Sequence, residues 1–250
     1  MLNRMIFYRS EYIEFVLISE GVLRFDEHSH SSDIVISVIL DGTAELTYLG
    51  EKRKVSRKEV FSVLPYEAHS LVSEHPVSML SMCVSKKLLS LAAEQRRLVF
   101  SAALGGLWSQ PELEGTDIEI KNKLLETAEK VFEKSSSADM EDEILLGERS
   151  RIESSPEHDE DIGTLARNAY MSKFHYIRRF RRISGLTPNR FRIQNRIRKA
   201  QKLLSGGAAI TDTALVSGFY DQSHFDKYFK RIVGVSPKEY ISSVRNFLQE

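Results

Sequence analysis

Residues 218–240 read GFYDQSHFDKYFKRIVGVSPKEY and residues 171–191 read MSKFHYIRRFRRISGLTPNRF, and these two stretches decide the fold. They are copies of one pattern, because six positions of the first copy recur 49 residues later with the same or a similar side chain. The pairs are Phe180 and Phe229, Arg182 and Arg231, Ile183 and Ile232, Gly185 and Gly234, Pro188 and Pro237, and Phe191 and Tyr240. The repeat predicts that this part of the chain contains one local structure twice.

Each copy is typical of two helices joined by a turn. A small alanine suits the close crossing of two helices, Ser or Asp suits the N-cap of the second helix, and Gly suits its end. The residues in these roles are Ala166, Ser172 and Gly185 in the first copy and Ala214, Asp221 and Gly234 in the second. The sequence therefore predicts helix-turn-helix motifs over about 161–182 and 210–231, joined by a connecting helix over 188–204.

The stretch from Asp161 to Tyr240 resembles the DNA-binding domain of the AraC/XylS family of bacterial transcription regulators. The matching pieces are DIGTLA, MSKFHYIRRFRRISGLTPNRF, RIQNRIRKAQKLL and GFYDQSHFDKYFKRIVGVSPKEY. The resemblance implies an all-α DNA-binding domain over 143–250 that reads two consecutive major grooves of double-stranded DNA, roughly 34 Å apart. It also implies activation through contact with RNA polymerase, although repression stays open.

The second helix of each motif is expected in the major groove, with its N-terminal residues facing base edges. Arg178 is the strongest candidate for base reading, because a guanidinium can bond both O6 and N7 of guanine. His224 is equally suited to positioning its helix. Contacts with DNA are expected from Lys173, Phe174, Ile177, Arg178, Gln222, Ser223, His224 and Lys227, and from Arg192 and Arg196 of the connecting helix, whose arginines should mostly meet phosphates.

The charge of the chain is zero only because its two parts cancel. There are 35 Lys and Arg and 35 Asp and Glu in all. Residues 143–250 hold 19 basic and 12 acidic side chains, a formal charge of +7, which leaves −7 for residues 1–142. The basic part fits a polyanionic partner. The acidic part either discourages its own contact with DNA or docks on the basic part.

The N-terminal part, residues 1–134, is typical of a β-sandwich or small barrel. Short runs rich in Val, Ile, Phe and Tyr alternate with turn signals up to about Val84, and the aliphatic run 34–40 reads as a strand covered on both faces. Amphipathic helices follow over about 86–108 and 117–134. The small and acidic stretch SSSADMED, 135–142, is predicted to be a linker. The chain is thus expected to be a two-domain α+β protein.

This N-terminal part resembles the family's cupin-type sensor domain, a β-barrel or jelly roll with flanking helices. The stretch HSHSSDIVISVILDGT and the later PYEAH carry the resemblance. It implies a small-molecule effector, with polar contacts expected from Arg24, His28, His30, Tyr48, Tyr66 and His69. Metal-dependent cupins gather such histidines around a metal, but regulators of this family mostly hold an organic effector, so no metal and no cofactor are expected.

The resemblance also implies a homodimer, with the helix over 117–134 as the dimerisation element. Its apolar stripe, which includes Ile120, Leu124 and Ala128, could instead fold onto the chain's own barrel. The single cysteine, Cys83, excludes an intramolecular disulfide framework. The N-terminus lacks a continuous apolar signal region, and no aliphatic stretch is long enough to span a bilayer, so a cytoplasmic protein is expected.

The sequence therefore predicts a sequence-specific, effector-responsive transcriptional regulator, an activator by resemblance, without catalytic residues and without enzymatic activity. Two other classes stay open. One is a cupin-type metal-dependent enzyme fused to a DNA-binding domain, with His28, His30 and His69 on the metal. The other is a regulator whose N-terminal part senses a protein partner.

Overall fold

The computed structural model describes residues 4–31, 33–134 and 143–246. The predicted linker, 135–142, lies outside these ranges. Within them, strands followed by two helices form the N-terminal half, and helices form the C-terminal half apart from one short strand at its end. The strands are β1 (Arg4–Arg9), β2 (Ile13–Gly21), β3 (Arg24–His28), β4 (Asp33–Asp41), β5 (Thr43–Tyr48), β6 (Glu51–Ser56), β7 (Val60–Val63), β8 (His69–Val72), β9 (Val77–Ser85) and β10 (Val244–Asn246).

The strands form two sheets, which confirms the predicted cupin-like sensor domain. The larger sheet has the order β10-β1-β2-β9-β4-β7 and the smaller one β3-β8-β5-β6. The pairs within the sensor are antiparallel, whereas β10 runs parallel to β1 with Val244 opposite Phe7. The end of the DNA-binding half therefore adds a strand to the sheet of the sensor half, which the sequence analysis did not anticipate.

Two helices, α1 (Ala93–Trp108) and α2 (Ile118–Lys134), cover the outer face of the larger sheet. Their apolar side chains pack on alternate residues of β4, including Ile36, while Ile39 on the opposite face enters the sensor interior. Strand β4 is buried on both faces, as its aliphatic sequence predicted.

The apolar stripe of α2 packs on the chain's own sheet. Ile120, Leu124 and Ala128 are buried against it. The alternative that the stripe folds onto the chain's own barrel therefore applies. Dimerisation through the helix stays a prediction, and it would have to use another face of α2.

The helices of the C-terminal half are α3 (Glu143–Ser154), α4 (Ile162–Asn168), α5 (Lys173–Ser184), α6 (Pro188–Ser205), α7 (Ile210–Val216), α8 (Gln222–Val233) and α9 (Pro237–Ser243). They include both predicted helix-turn-helix motifs, α4–α5 and α7–α8, joined by α6. Ser172 and Asp221 cap α5 and α8, accepting hydrogen bonds from the backbone N–H of His175 (3.3 Å) and His224 (2.7 Å). The predicted motifs are confirmed.

The two motifs differ in how their cores are built. The first has a core of its own, in which Tyr176 and Phe180 pack with Leu145 of α3. The second shares one continuous core with the sensor half, because Phe229 packs on Tyr240 (ring centroids 5.4 Å) and Tyr240 packs on Phe7 of β1 (4.9 Å). The second motif and the sensor are therefore one packing unit.

Glycines end both recognition helices where these helices meet the sensor. Gly185 and Gly234 have left-handed φ angles of 74° and 93°, which favour glycine. A Cβ at Gly185 would collide with the carbonyl oxygen of Tyr66, and one at Gly234 would lie 3.0 Å from the Phe25 ring. At both positions only glycine allows the close approach of the two halves. Among the described residues, no helix is long and apolar enough to cross a membrane.

Candidate DNA-binding surface and effector site

The recognition helix of the first motif, α5, presents its predicted contact residues to solvent. Lys173 and Arg178 are exposed, Phe174 is 87% exposed and Ile177 is half-buried. The large apolar side chains on the opposite side of the helix are buried, as predicted. Phe174 and Arg178 are four residues apart, so the exposed ring and the exposed cation share one face of α5. This arrangement suits the major groove, where apolar side chains contact thymine methyls and arginine contacts guanine.

The recognition helix of the second motif, α8, is similarly arranged, with one exception. Gln222, Ser223 and Lys227 are exposed. His224 is half-buried, and its ring packs 5.7 Å from Phe219 and 4.9 Å from Tyr228 between centroids. These contacts favour the helix-positioning role for His224 over a base contact.

Arg192 and Arg196 do not lie on the surface. They are 5% and 4% exposed. Arg196 donates to the carbonyl oxygens of Pro156 (2.8 Å) and Glu157 (3.2 Å), and both arginines bind the Asp159 carboxylate, at 3.5 Å for Arg192 and 2.8 Å for Arg196. In this structure neither guanidinium can reach a phosphate. The expectation that they contact phosphates is therefore wrong for this structure. Both arginines instead hold the segment before α4 against α6.

Other basic residues of α6 are also engaged within the chain. Arg190 binds Glu27 of β3 at 2.6 Å, and Lys199 binds Glu157 at 2.9 Å. Arg198 reaches the sensor loop that follows β3. The expectation that most arginines of this helix contact phosphates is therefore wrong for this structure, because the helix lies against the sensor half and its cations bind there.

Acidic residues of β3 join the sensor to both helix-turn-helix motifs. Glu27 binds Arg181 of α5 (3.0 Å) as well as Arg190, and Asp26 binds Arg231 at the end of α8. These side chains are a third to a half exposed, so each ion pair contributes on the order of 0.2–1 kcal/mol. The charge asymmetry of the sequence thus corresponds to docking of the acidic half on the basic half, through residues that the sequence alone did not single out.

A loop of the sensor, residues 29–31, is bound tightly by α6. The amide of Gln194 accepts from the backbone N–H of Ser29 (3.1 Å) and donates to its carbonyl oxygen, as a neighbouring strand would. Arg198 donates to the same carbonyl (2.7 Å) and to the Ser31 hydroxyl, which donates to Asn195 (3.2 Å). These polar groups are largely buried and satisfied across the junction, so the loop and α6 are held in one arrangement.

Three of the predicted effector residues meet beside this loop. The ring centroids of His28, His30 and His69 lie 4.1–5.2 Å apart. Burial lowers the pKa of all three histidines, and the nearby Arg198 guanidinium lowers it further. The imidazoles are therefore neutral at neutral pH and keep a lone pair for a ligand.

The other predicted effector residues differ in where they lie. Tyr48 pairs in register with His69 and its hydroxyl donates to Glu67, whereas Arg24 is exposed on β3. The Tyr66 ring lies 3.8 Å below the Arg149 guanidinium of α3, and its backbone is where Gly185 approaches. Tyr66 is therefore a contact between the two halves, whereas the three histidines form one cluster with Tyr48 beside His69.

Ionisable side chains of three neighbouring strands form a row beneath α6 that the sequence does not indicate. Glu14 of β2 lies opposite Arg9 of β1 and Cys83 of β9, and Arg9 also donates to Ser205 of α6 (2.7 Å). Burial raises the pKa of Glu14, although Arg9 opposes that shift, and burial raises the pKa of the Cys83 thiol well above its usual range. The sequence could not reveal the row because it depends on the register of three strands.

Comparison with known protein families accounts for both halves. The family described as AraC-like ligand binding domain matches residues 13–147, more than half of the chain. The chain belongs to the AraC family. A family described as helix-turn-helix domain matches residues 165–243, which include both recognition helices. This AraC-family chain thus combines a ligand-binding domain with a helix-turn-helix domain.

Curated AraC-family relatives match the DNA-binding half. The chain is 36% identical over 86 residues to the HTH-type transcriptional regulator MtrA of Neisseria gonorrhoeae, which is 34% of this chain and 29% of the relative. It is 37% identical over 73 residues to the HTH-type transcriptional activator RhaS of Escherichia coli, which is 29% of this chain and 26% of the relative. The matched part is less than a third of each relative.

Solved structures of ToxT from Vibrio cholerae share the whole architecture. One is described as unsaturated fatty acid bound wild-type ToxT, with a TM-score of 0.59, 17% identity and full coverage of both chains. Another, the apo form of a ToxT variant with one substitution, has a TM-score of 0.60, 14% identity, and covers 95% of this chain and 100% of its own. At this identity the likeness concerns the fold of the AraC-family chain and not its ligand.

Proposed function

We propose that this regulator reads a specific DNA site with α5 and α8, and that an effector bound where the sensor meets α6 controls this reading. The observation that carries the proposal is the attachment of α6, the helix between the two motifs, to the sensor loop 29–31 through Gln194, Asn195 and Arg198. A ligand that shifts this loop necessarily shifts the helix that sets the spacing of the recognition helices. Such control requires the ligand to bind the two arrangements with different affinities.

The docked arrangement holds both motifs on the sensor, and we assign it lower DNA affinity than the released one. Reading two consecutive grooves requires α5 and α8 to be about one DNA turn apart and correctly oriented. The sensor instead fixes their positions through β3, through the Tyr66 loop at Gly185 and through the shared core. The docked arrangement also pairs Arg181, Arg190 and Arg231 with carboxylates, so these cations are less available to phosphates.

Five finer features belong to the same proposal. Activation is supported by the name of RhaS as a transcriptional activator, and a small-molecule effector by the fatty acid in the ToxT structure. Contact with RNA polymerase, a homodimer and a cytoplasmic location are expected of a regulator of this family. Since the stripe of α2 is buried on its own sheet, a dimer would use a different surface. We assign no catalytic residue.

The docking proposal is tested by the double variant Asp26→Asn, Glu27→Gln. The variant removes three ion pairs between β3 and the DNA-binding half while it keeps the shape of both side chains. We expect DNA affinity to rise about two- to fivefold at low salt, because each pair contributes on the order of 0.2–1 kcal/mol and the freed arginines gain phosphate contacts. Fluorescence anisotropy with labelled duplex DNA at two salt concentrations measures the change.

A control must separate release of the motifs from the general effect of removing negative charge. The double variant Glu45→Gln, Glu59→Gln removes the same charge, but its carboxylates pair with Lys52 and Arg53 inside the sensor. We expect its DNA affinity to stay within about twofold of wild type, since exposed ion pairs within the sensor contribute little. An equal rise in both double variants would show that net charge, and not docking, sets the affinity.

A further inference from the structure

The three clustered histidines come from segments that the fold holds close together. His28 ends β3 and pairs in register with His69, which begins β8, and His30 follows two residues later in the loop 29–31. One ring nitrogen from each of the three lies within 4.8 Å of the other two. Three imidazoles from paired strands and an adjacent loop thus converge on one point.

Hydrogen bonds orient two of these rings. Nδ1 of His28 lies 2.7 Å from the carbonyl oxygen of Asp26, and Nδ1 of His69 lies 3.2 Å from that of Glu67. A carbonyl oxygen only accepts, so Nδ1 carries the proton in both rings and Nε2 keeps its lone pair. Proteins set the tautomer and direction of metal-binding histidines in this way.

We propose that His28, His30 and His69 bind a divalent late first-row transition metal such as Zn²⁺, and that its binding loosens the hold of α6 on the sensor. Imidazole nitrogen is a preferred ligand of these metals, and three protein ligands leave coordination positions open for water or an effector. The site concerns regulation and needs no catalytic step.

Binding of the metal is expected to draw the three rings together, and the loop 29–31 with them. In a tetrahedral zinc site with bonds of about 2.0–2.1 Å, ligand nitrogens are roughly 3.3 Å apart, whereas the ring nitrogens of the cluster lie within 4.8 Å of one another. Ser29 lies between two of the ligands, and its carbonyl is held by Gln194 and Arg198. The new positive charge also repels the Arg198 guanidinium. The contraction and the repulsion both act against the contacts that dock α6, a consequence that rests on the proposed function.

Titration of the metal-free full chain tests the site. Co²⁺ bound tetrahedrally absorbs visible light, and competition between Zn²⁺ and a coloured chelator gives the affinity and stoichiometry. We expect one metal per chain, and about tenfold or more weaker binding in His30→Gln. The matched control is His75→Gln, because His75 is exposed in the β8–β9 connection. If circular dichroism shows that His30→Gln is not folded, His69→Gln takes its place. No bound metal, or equal binding by the cluster variant and the control, would overturn the site.

A second arm tests transmission to DNA. We expect Zn²⁺ to raise the DNA affinity of wild type and of His75→Gln about fivefold or more, and to leave His30→Gln unchanged. Metal binding without any change in DNA affinity would overturn the transmission. Failure of every variant to bind DNA, with or without metal, would count against the proposed function and against transmission, while the Co²⁺ spectrum would still decide the site.

Discussion

Replacing Phe229 with alanine is expected to lower the free energy of unfolding by about 3–5 kcal/mol, and to do so in both halves of the chain. The Phe229 side chain is fully buried between Phe225 and Tyr240, and Tyr240 packs on Phe7 of the sensor. The single tryptophan, Trp108, lies on the far side of the sensor and reports its unfolding by fluorescence. Urea denaturation followed by Trp108 fluorescence and by circular dichroism should therefore show coincident, lowered midpoints.

The matched control is Phe180→Ala, at the equivalent position of the first motif. Phe180 is equally buried, but its core consists of α3, α4, α5 and the start of α6, with Tyr66 and Ala68 at its edge. We expect this variant to lower the urea midpoint measured by circular dichroism more than the midpoint measured by Trp108 fluorescence. If Phe229→Ala left the Trp108 transition at the wild-type urea concentration, the shared core would not couple the two halves.

Replacing Arg178 with alanine is expected to weaken binding to a specific DNA site by about 1–3 kcal/mol, which is roughly 5- to 150-fold. Arg178 is exposed on α5, two residues from buried Tyr176, and it stands where a bidentate contact with guanine is possible. The affinity for random duplex DNA should fall only by the amount expected from the loss of one positive charge. Anisotropy titrations against both DNAs, at one salt concentration, measure the ratio.

Arg57→Ala provides the control for Arg178, because it removes one exposed arginine from the sensor half. We expect it to change neither affinity by more than about twofold, since it lies outside the DNA-binding half. Equal losses for specific and random DNA in Arg178→Ala would mean that Arg178 contacts a phosphate and does not read a base.

The helix-turn-helix half was predictable because its signals are local. N-cap residues such as Ser172 and Asp221, and terminal glycines such as Gly185, determine where a helix begins and ends within a few residues. The repeat at 49 residues then showed that the same unit occurs twice. The sandwich of the sensor followed from strand-like runs, although its sheet order did not.

The junction was not predictable because it depends on contacts between residues far apart in the chain. Nothing near Arg192 or Arg196 indicates that Asp159 and main-chain carbonyls will take their guanidinium groups, so an arginine-rich helix was interpreted as a phosphate-binding surface. The partner of the α2 stripe was likewise undetermined until the sheet was in place. Three histidines became a cluster only through the pairing of β3 with β8.

Selection of DNA sites from a random duplex library by the full chain tests the central claim most directly, since that claim is the reading of two consecutive major grooves by α5 and α8. We expect a two-part motif whose half-sites are centred about 10–10.5 base pairs apart, one turn of DNA. Selection by Arg178→Ala should retain the half-site read by α8 and lose information in the other. A motif with a single half-site, or no enrichment over the starting library, would show that α5 and α8 do not read two consecutive grooves.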